Sequence, residues 1–187
     1  MGTTTQPDRR ALGFVWRVEM LKELGGVLPA PRVRPGYRLV PFEAAQIPAL
    51  AEVEFRAFSG SADARAFATH LGSVERAREG WQQLVRSRRF EMRATRVLTQ
   101  GQRVCGFVQA SRAARGAGYI TSLAVLPEDR GGHGRALLLA ALHRLRSLGF
   151  PRAALTVTAE NASALRLYEG IGFEEVGWSI ATFPPAP

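Results

Sequence analysis

The chain has 187 residues, 46% of them hydrophobic, which suits one domain with a sizeable core and excludes wholesale disorder. Its 25 basic residues outnumber 16 acidic ones, but they are scattered arginines apart from Lys22, so the net charge of +9 points to an anionic cofactor rather than to nucleic acid. A single cysteine, Cys105, excludes an internal disulfide framework, and no run of 18 apolar residues occurs, so a cytoplasmic protein without a membrane span is expected.

Residues 1–36 read as a separate N-terminal extension. They are not expected to form a signal peptide, since Arg17 and Glu19 interrupt the apolar start and no small-residue cleavage site follows. Leu12, Val15, Met20 and Leu24 share a loose apolar stripe, which predicts a helix over residues 11–24. "GGVLPAPRVRPG" then reads as a Gly/Pro connector. The helix is expected to pack on the domain that follows or on a partner subunit, an arrangement compatible with a homodimer.

The main domain is expected over residues 37–187. "YRLVPF" reads as a strand. "EAAQIPALAEVEFRAF" reads as a helix with Ile47, Leu50 and Val53 inward and Pro48 in its first turn. A loop with a short helix follows in "SGSADARAFATHLGS", then a clear helix in "VERAREGWQQLVRSR". "EMRATRVLTQ" and "QRVCGFVQASR" flank a turn at Gly101 and predict a hairpin, with Cys105 as a small buried hydrophobe. "YITSLAVL" is apolar enough for a central strand, and Pro127 ends it. Leu138, Leu142 and Leu145 mark a helix over residues 134–148, stopped by Gly149 and Pro151. "RAALTVTA" is a strand, "NASALRLYEGIG" a helix capped by Asn161, and "FEEVGWSIATF" one strand or a bent pair. This order predicts an α/β or α+β sheet domain with one main core.

"GGHGRALLLA" places glycines between the central strand and the leucine-rich helix. A helix start carries unpaired N–H groups and partial positive charge, and glycines let the backbone approach an anion. Arg130, His133 and Arg135 can add charge-assisted bonds. The loop is neither a Gly-Lys-Ser/Thr phosphate loop nor a Gly-x-Gly-x-x-Gly dinucleotide loop. His70, His133 and His143 have no ligand spacing with Cys105 or one another, so no metal site is expected.

Together, "LAVLPEDRGGHGRALL" and "NASALRLYEGIGF" resemble the GNAT superfamily of acyl-CoA-dependent N-acyltransferases. The second segment matches that family's Asn-x-x-Ala-x-x-Leu-Tyr-x-x-x-Gly-Phe motif in full, with Asn161, Ala164, Leu167, Tyr168, Gly172 and Phe173. The resemblance implies a GNAT-like fold, with a mixed, mostly antiparallel central sheet flanked by helices. It implies acetyl-CoA as co-substrate and an amine as acceptor. The backbone of Leu123, Ala124 and Val125 would pair with the pantetheine arm. The pyrophosphate would lie on Arg130, Gly131, Gly132, His133, Gly134, Arg135 and Ala136. Asn161 would hydrogen-bond the pantetheine beside Ala164, Tyr168 would sit near the thioester sulfur, and the flanking strands would splay. The loop is one residue out of step with the family's Arg/Gln-x-x-Gly-x-Gly/Ala. Either Gly131 takes the Arg/Gln slot, which keeps Gly134 and Ala136 at the helix start and is preferred, or His133 and Arg135 take the glycine slots.

Aminolysis of a thioester needs a base, oxyanion donors and an acid for the thiolate. The resemblance implies Val125 N–H as donor and Tyr168 as acid. Many family members carry a glutamate on the central strand, where this chain has Ile120, Thr121 and Ser122. Thr121 or Ser122 is therefore expected to hold a relaying water; Glu54 and Glu160 are remote alternatives for the base, each read first as a solvated surface charge. The acceptor pocket falls to residues 42–89, with Glu52, Glu54, Asp63 and Glu75 as cation contacts. The expected function is acetyl transfer from acetyl-CoA to a primary amine of a small molecule or peptide. The alternative is a CoA-binding sensor without turnover.

Overall fold

The computed structural model describes residues 14–61, 63, 72–113 and 116–182. Residues 11–13 of the expected N-terminal helix, His70 and most of the "SGSADARAFATHLGS" stretch lie outside them.

The helix expected over residues 11–24 is corrected to a strand, β1 (Phe14–Glu23). Burial runs with a period of two: Val18 and Met20 are buried while Glu19 is exposed. The loose helical stripe loses because the run is rich in aromatic and β-branched residues, and because both edges of the strand find partners. β1 pairs antiparallel with β6 (Arg152–Thr158) on one side and with β7 (Glu174–Thr182) on the other. The segment is thus an internal strand rather than a helix packed on the domain.

The other strands are β2 (Tyr37–Pro41), β3 (Arg96–Gln100), β4 (Arg103–Arg112) and β5 (Gly118–Val125). The described residues form a seven-stranded sheet in the order β2-β3-β4-β5-β6-β1-β7. Only the β5–β6 pair is parallel, so the sheet is mixed and mostly antiparallel. The expected hairpin joins β3 to β4 through Gly101, whose φ of 59° suits the turn.

Among the described residues, two helices of eight residues or more cover one face. These are α1 (Ile47–Phe58), with Pro48 in its first turn, and α2 (Val74–Arg86), capped by the Ser73 hydroxyl. Leu50 and Trp81 pack there on Val97 and Phe107. The other face carries α3 (His133–Ser147) and α4 (Ala162–Glu169), whose Leu137, Leu138, Leu142 and Tyr168 share a core with Val18, Met20 and Val108. Among the described residues, no helix is long and apolar enough to cross a membrane.

The connector after β1 runs along α3. Leu24 and Leu28 are buried, Arg146 donates to the Gly26 carbonyl at 3.1 Å, and His143 Nε2 lies 2.9 Å from the Pro29 carbonyl. β1 is therefore part of the main core, with an energetic consequence. Met20→Ala is expected to lower unfolding free energy by about 2–4 kcal/mol. Val27→Ala, at a position 94% exposed, is expected to change it by less than about 0.5 kcal/mol. Urea denaturation of both variants checks the contrast.

Candidate active site

β5 and β6 pair over only three positions, Gly118 with Ala153, Tyr119 with Ala154 and Ile120 with Leu155. Both strands continue, β5 to Val125 and β6 to Thr158, but they diverge. The wedge leaves one edge of β5 without a strand partner, and backbone N–H and C=O groups there require something else to bond. A cleft of about 640 Å³ opens at the wedge, lined by Leu123, Ala124 and Val125 of β5.

The loop after β5 forms one end of this cleft. Pro127–Asp129 makes a single 3-10 turn, and Gly131 and Gly132 follow with φ of 93° and 95°. Those left-handed values favour glycine; at Gly132 a Cβ would meet nothing within 4 Å, so conformation rather than space sets the requirement. α3 begins at His133 with no side chain capping it, which leaves its first amides for a ligand or water.

The structure does not bring the His133 ring to the cleft, contrary to the expected phosphate contact. The ring is 1% exposed, because His133 lies on the buried face of α3 with Ala136, Leu137, Ala140 and Ala141. Nδ1 sits 2.6 Å from the Asp129 carbonyl, so Nδ1 carries the proton. Nε2 then accepts the Arg34 backbone N–H at 3.3 Å and its Nε–H at 3.4 Å. Arg34 also donates to the Arg130 carbonyl at 3.0 Å. Behind them Asp129 accepts the Tyr37 hydroxyl at 2.7 Å and a forked pair from Arg103 at 2.8 and 2.9 Å. Burial raises the Asp129 pKa, but the bonds from Arg103 and Tyr37 outweigh it and hold the carboxyl below its ordinary value. The loop is therefore braced from behind by the connector and β2. His133→Ala is expected to weaken acetyl-CoA binding by roughly tenfold, read by calorimetric titration.

The remaining expected cofactor residues divide. Arg130, Gly131, Gly134, Asn161, Ala164 and Tyr168 line the cleft with the three β5 residues. Gly132 and Ala136 are not on its wall, and Arg135 instead donates to the Gly170 carbonyl at 3.0 Å, tying α3 to the end of α4. Asn161 caps α4, its Oδ1 accepting the Ala164 N–H at 3.1 Å, while its Nδ2 donates to Asp63 at 2.9 Å. The Thr158 hydroxyl donates to the other Asp63 oxygen.

A smaller pocket of about 270 Å³ lies deeper in the wedge. Tyr168, Thr121 and Ser122 line it, together with Glu54 and Arg17. The Tyr168 ring is buried edge-on against Phe173 at 5.9 Å. Burial, and then the charge of Asp63, push its hydroxyl pKa above the ordinary value. Thr121 shares a 2.9 Å hydrogen bond with Ser111.

Glu54 is not the solvated charge its position on a helix suggests. Its carboxylate accepts the Ser122 hydroxyl at 3.4 Å, and burial pushes its pKa up to about 7. The Trp81 indole leans toward the same carboxylate without reaching hydrogen-bonding geometry. The sequence signal was available: Leu50, Glu54 and Phe58 recur every four residues, so Glu54 lies in the apolar stripe of α1. Asp63 also reaches the site, whereas Glu52 and Glu75 are exposed and Glu160 stands at the outer rim of the cleft. Arg17, read in the sequence only as a charge that interrupts the apolar start, and Arg34, both from residues 1–36, were not expected near the cleft. Among the described residues, no group of three or more His, Cys, Asp or Glu could hold a metal ion.

Residues 57–173 match the model of the acetyltransferase (GNAT) family. A mycothiol acetyltransferase from Thermobispora bispora is 34% identical over 186 residues, covering 92% of this chain and 59% of the relative. The chain thus spans under two thirds of that relative's length. Among solved structures, a GCN5-related N-acetyltransferase from Sphaerobacter thermophilus superposes with a TM-score of 0.67 at 20% identity, over 90% of this chain and 50% of that one. The ribosomal-protein-S18-alanine N-acetyltransferase from Escherichia coli superposes with a TM-score of 0.59 at 25% identity, over 75% and 79% of the two chains. The family match takes in the wedge between β5 and β6, its glycine loop and α4 with the turn up to Phe173, and the chain belongs to the GNAT acetyltransferase family.

Proposed function

We propose that this protein moves an acetyl group from acetyl-CoA to a primary amine by direct attack, with Glu54 as base and Tyr168 as acid. The observation that carries the reading is the meeting of these two side chains in one pocket at the strand wedge. The residues fit the co-substrate. The open edge of β5 offers backbone partners for an amide-bearing arm, and Arg130 with the first amides of α3 suits phosphate.

Acetyl-CoA supplies an activated thioester when bound. Glu54, with a pKa near 7, takes the proton of the attacking nitrogen, directly or through a water held by Ser122 or Thr121. The Val125 N–H on the open edge of β5 is the proposed donor to the acyl oxygen as negative charge develops there. Tyr168 stays protonated because it is buried, and gives its proton to the sulfur as the C–S bond breaks. The new bond is an amide N–C bond, the released group is a thiol, and the proton gained by Glu54 balances the one lost by Tyr168, both residues being restored by exchange with solvent. The name of the Thermobispora bispora relative favours a small-molecule acceptor. The absence of a carboxylate on β5 favours the rival sensor reading, and Glu54 on α1 is the carboxylate proposed in its place.

Calorimetric titration with acetyl-CoA, followed by thiol release across an amine panel, tests the proposal. Binding with turnover of at least one amine is expected; binding without turnover of any amine returns the sensor reading.

A further inference from the structure

Arg17 is a cation in a pocket that must admit an amine, and the chemistry above does not use it. It stands next to Val18 on β1, so its side chain leaves the sheet on the face opposite the core that Val18 and Met20 enter. One guanidinium nitrogen donates to the Thr156 carbonyl at 2.8 Å, which fixes the head beside β6. Burial lowers the Arg17 pKa from its ordinary value, with Asp63, Tyr119 and Tyr168 as its charged or titratable neighbours. A guanidinium held in place and partly desolvated bonds a carbonyl or carboxylate more strongly than one in water.

The wedge separates this cation from the base. Glu54 reaches Ser122 on β5, and Arg17 reaches Thr156 on β6. An acceptor between them presents its amine to Glu54 and its next substituent to Arg17. A polyamine would bring a second ammonium against Arg17, and a plain alkylamine would offer it no acceptor atom. We propose that Arg17 determines acceptor specificity, selecting amines whose neighbouring carbon bears a carbonyl or carboxylate, namely α-amino amides and α-amino acids. This rests on the transferase reading above and adds the acceptor class to it. The inner pocket, about 270 Å³, accommodates one such residue-sized group. A cavity of about 370 Å³ beside α2 shares Glu54, Gln109 and Thr121 with it and receives whatever the acceptor carries beyond.

The test compares alaninamide, alanine, isopropylamine and spermidine as acceptors at saturating acetyl-CoA, for the wild type, Arg17→Gln and Arg17→Lys. The readout is the ratio of kcat/KM for alaninamide or alanine to that for isopropylamine, taken within one preparation so that the active fraction cancels. The ratio is expected to fall at least about tenfold in Arg17→Gln, mainly through KM, and by less in Arg17→Lys, which keeps the charge without the fork. The amide and carboxylate arms show which oxygen is read. Acetyl-CoA titration and a thermal melt check that each variant is folded, and Arg17→Lys carries the test if Arg17→Gln is not. A ratio within twofold of wild type in the folded variants, or spermidine as the best wild-type acceptor, overturns the proposal alone. Wild-type binding of acetyl-CoA without turnover of any amine overturns the transferase reading and this one with it.

Discussion

Glu54→Gln is expected to lower kcat/KM by roughly 10²–10⁴-fold while leaving acetyl-CoA affinity within about twofold. The loss comes from the proton acceptor. Gln keeps the shape and the contact with the Ser122 hydroxyl but has no basic oxygen. The wild type is expected to gain activity as pH rises through about 7, where the Glu54 carboxyl ionises, and the variant is expected to lack that limb. Stability should move the other way. The folded pKa of about 7 lies above the ordinary 4.5, so the folded state binds the proton more tightly than the unfolded one. Wild-type stability from this group is full below about 4.5 and is lost as pH rises through 7. At pH 8, Glu54→Gln should therefore be the more stable protein by about 3 kcal/mol, a gain that disappears at pH 4. Urea melts at the two pH values and a pH–rate profile read the pair of effects. A slow variant with no stability gain at pH 8 would show that Glu54 is not the buried base.

That trade, once measured, would place Glu54 among residues whose burial serves chemistry at the expense of folding. It also explains why the site was only half legible in the sequence. The Asn161–Phe173 motif lies within one helix and its flanking turns, so its spacing alone identifies it. Glu54 and Asp63 reach the wedge from the first half of the chain, across the face of the sheet, and no local spacing announces that. The apolar stripe of α1 does carry a trace, since a glutamate between Leu50 and Phe58 breaks a face that otherwise packs on Phe107 and Ala124. His133 shows the opposite error. A histidine beside glycines looks like an anion ligand, yet its spacing to Leu137 and Ala140 puts it on the buried side of α3.

The strand β1 was illegible for a different reason. Its ten residues fit a weak helical stripe as well as a strand, and the choice between them is made by β6 and β7, which come more than a hundred residues later. The site inherits that choice. In a helix Arg17 would not be held at the Thr156 carbonyl, and the connector that carries Arg34 to the His133 ring would start elsewhere. Residues outside the motif-bearing half thus supply the proposed base, the proposed acceptor-facing cation and the observed brace behind the loop.

Tyr168→Phe is expected to lower kcat by about 10²-fold with acetyl-CoA. The substitution removes one hydroxyl and leaves the ring packed edge-on against Phe173, so the fold is expected to survive. Because burial raises the Tyr168 pKa above its ordinary value of 10.0, the hydroxyl is protonated at every working pH and adds no basic limb to the rate profile below about 10. A slower rate alone does not separate proton donation from altered packing, but the leaving group does. A thioester whose thiol is more acidic than that of CoA needs less help to depart. With such an acyl donor the Tyr168→Phe deficit should shrink to a few fold, because the sulfur then leaves as a stable thiolate. A deficit that stays near 10²-fold with both donors assigns Tyr168 to shaping the pocket, and the proton on the departing sulfur must then come from water in the wedge.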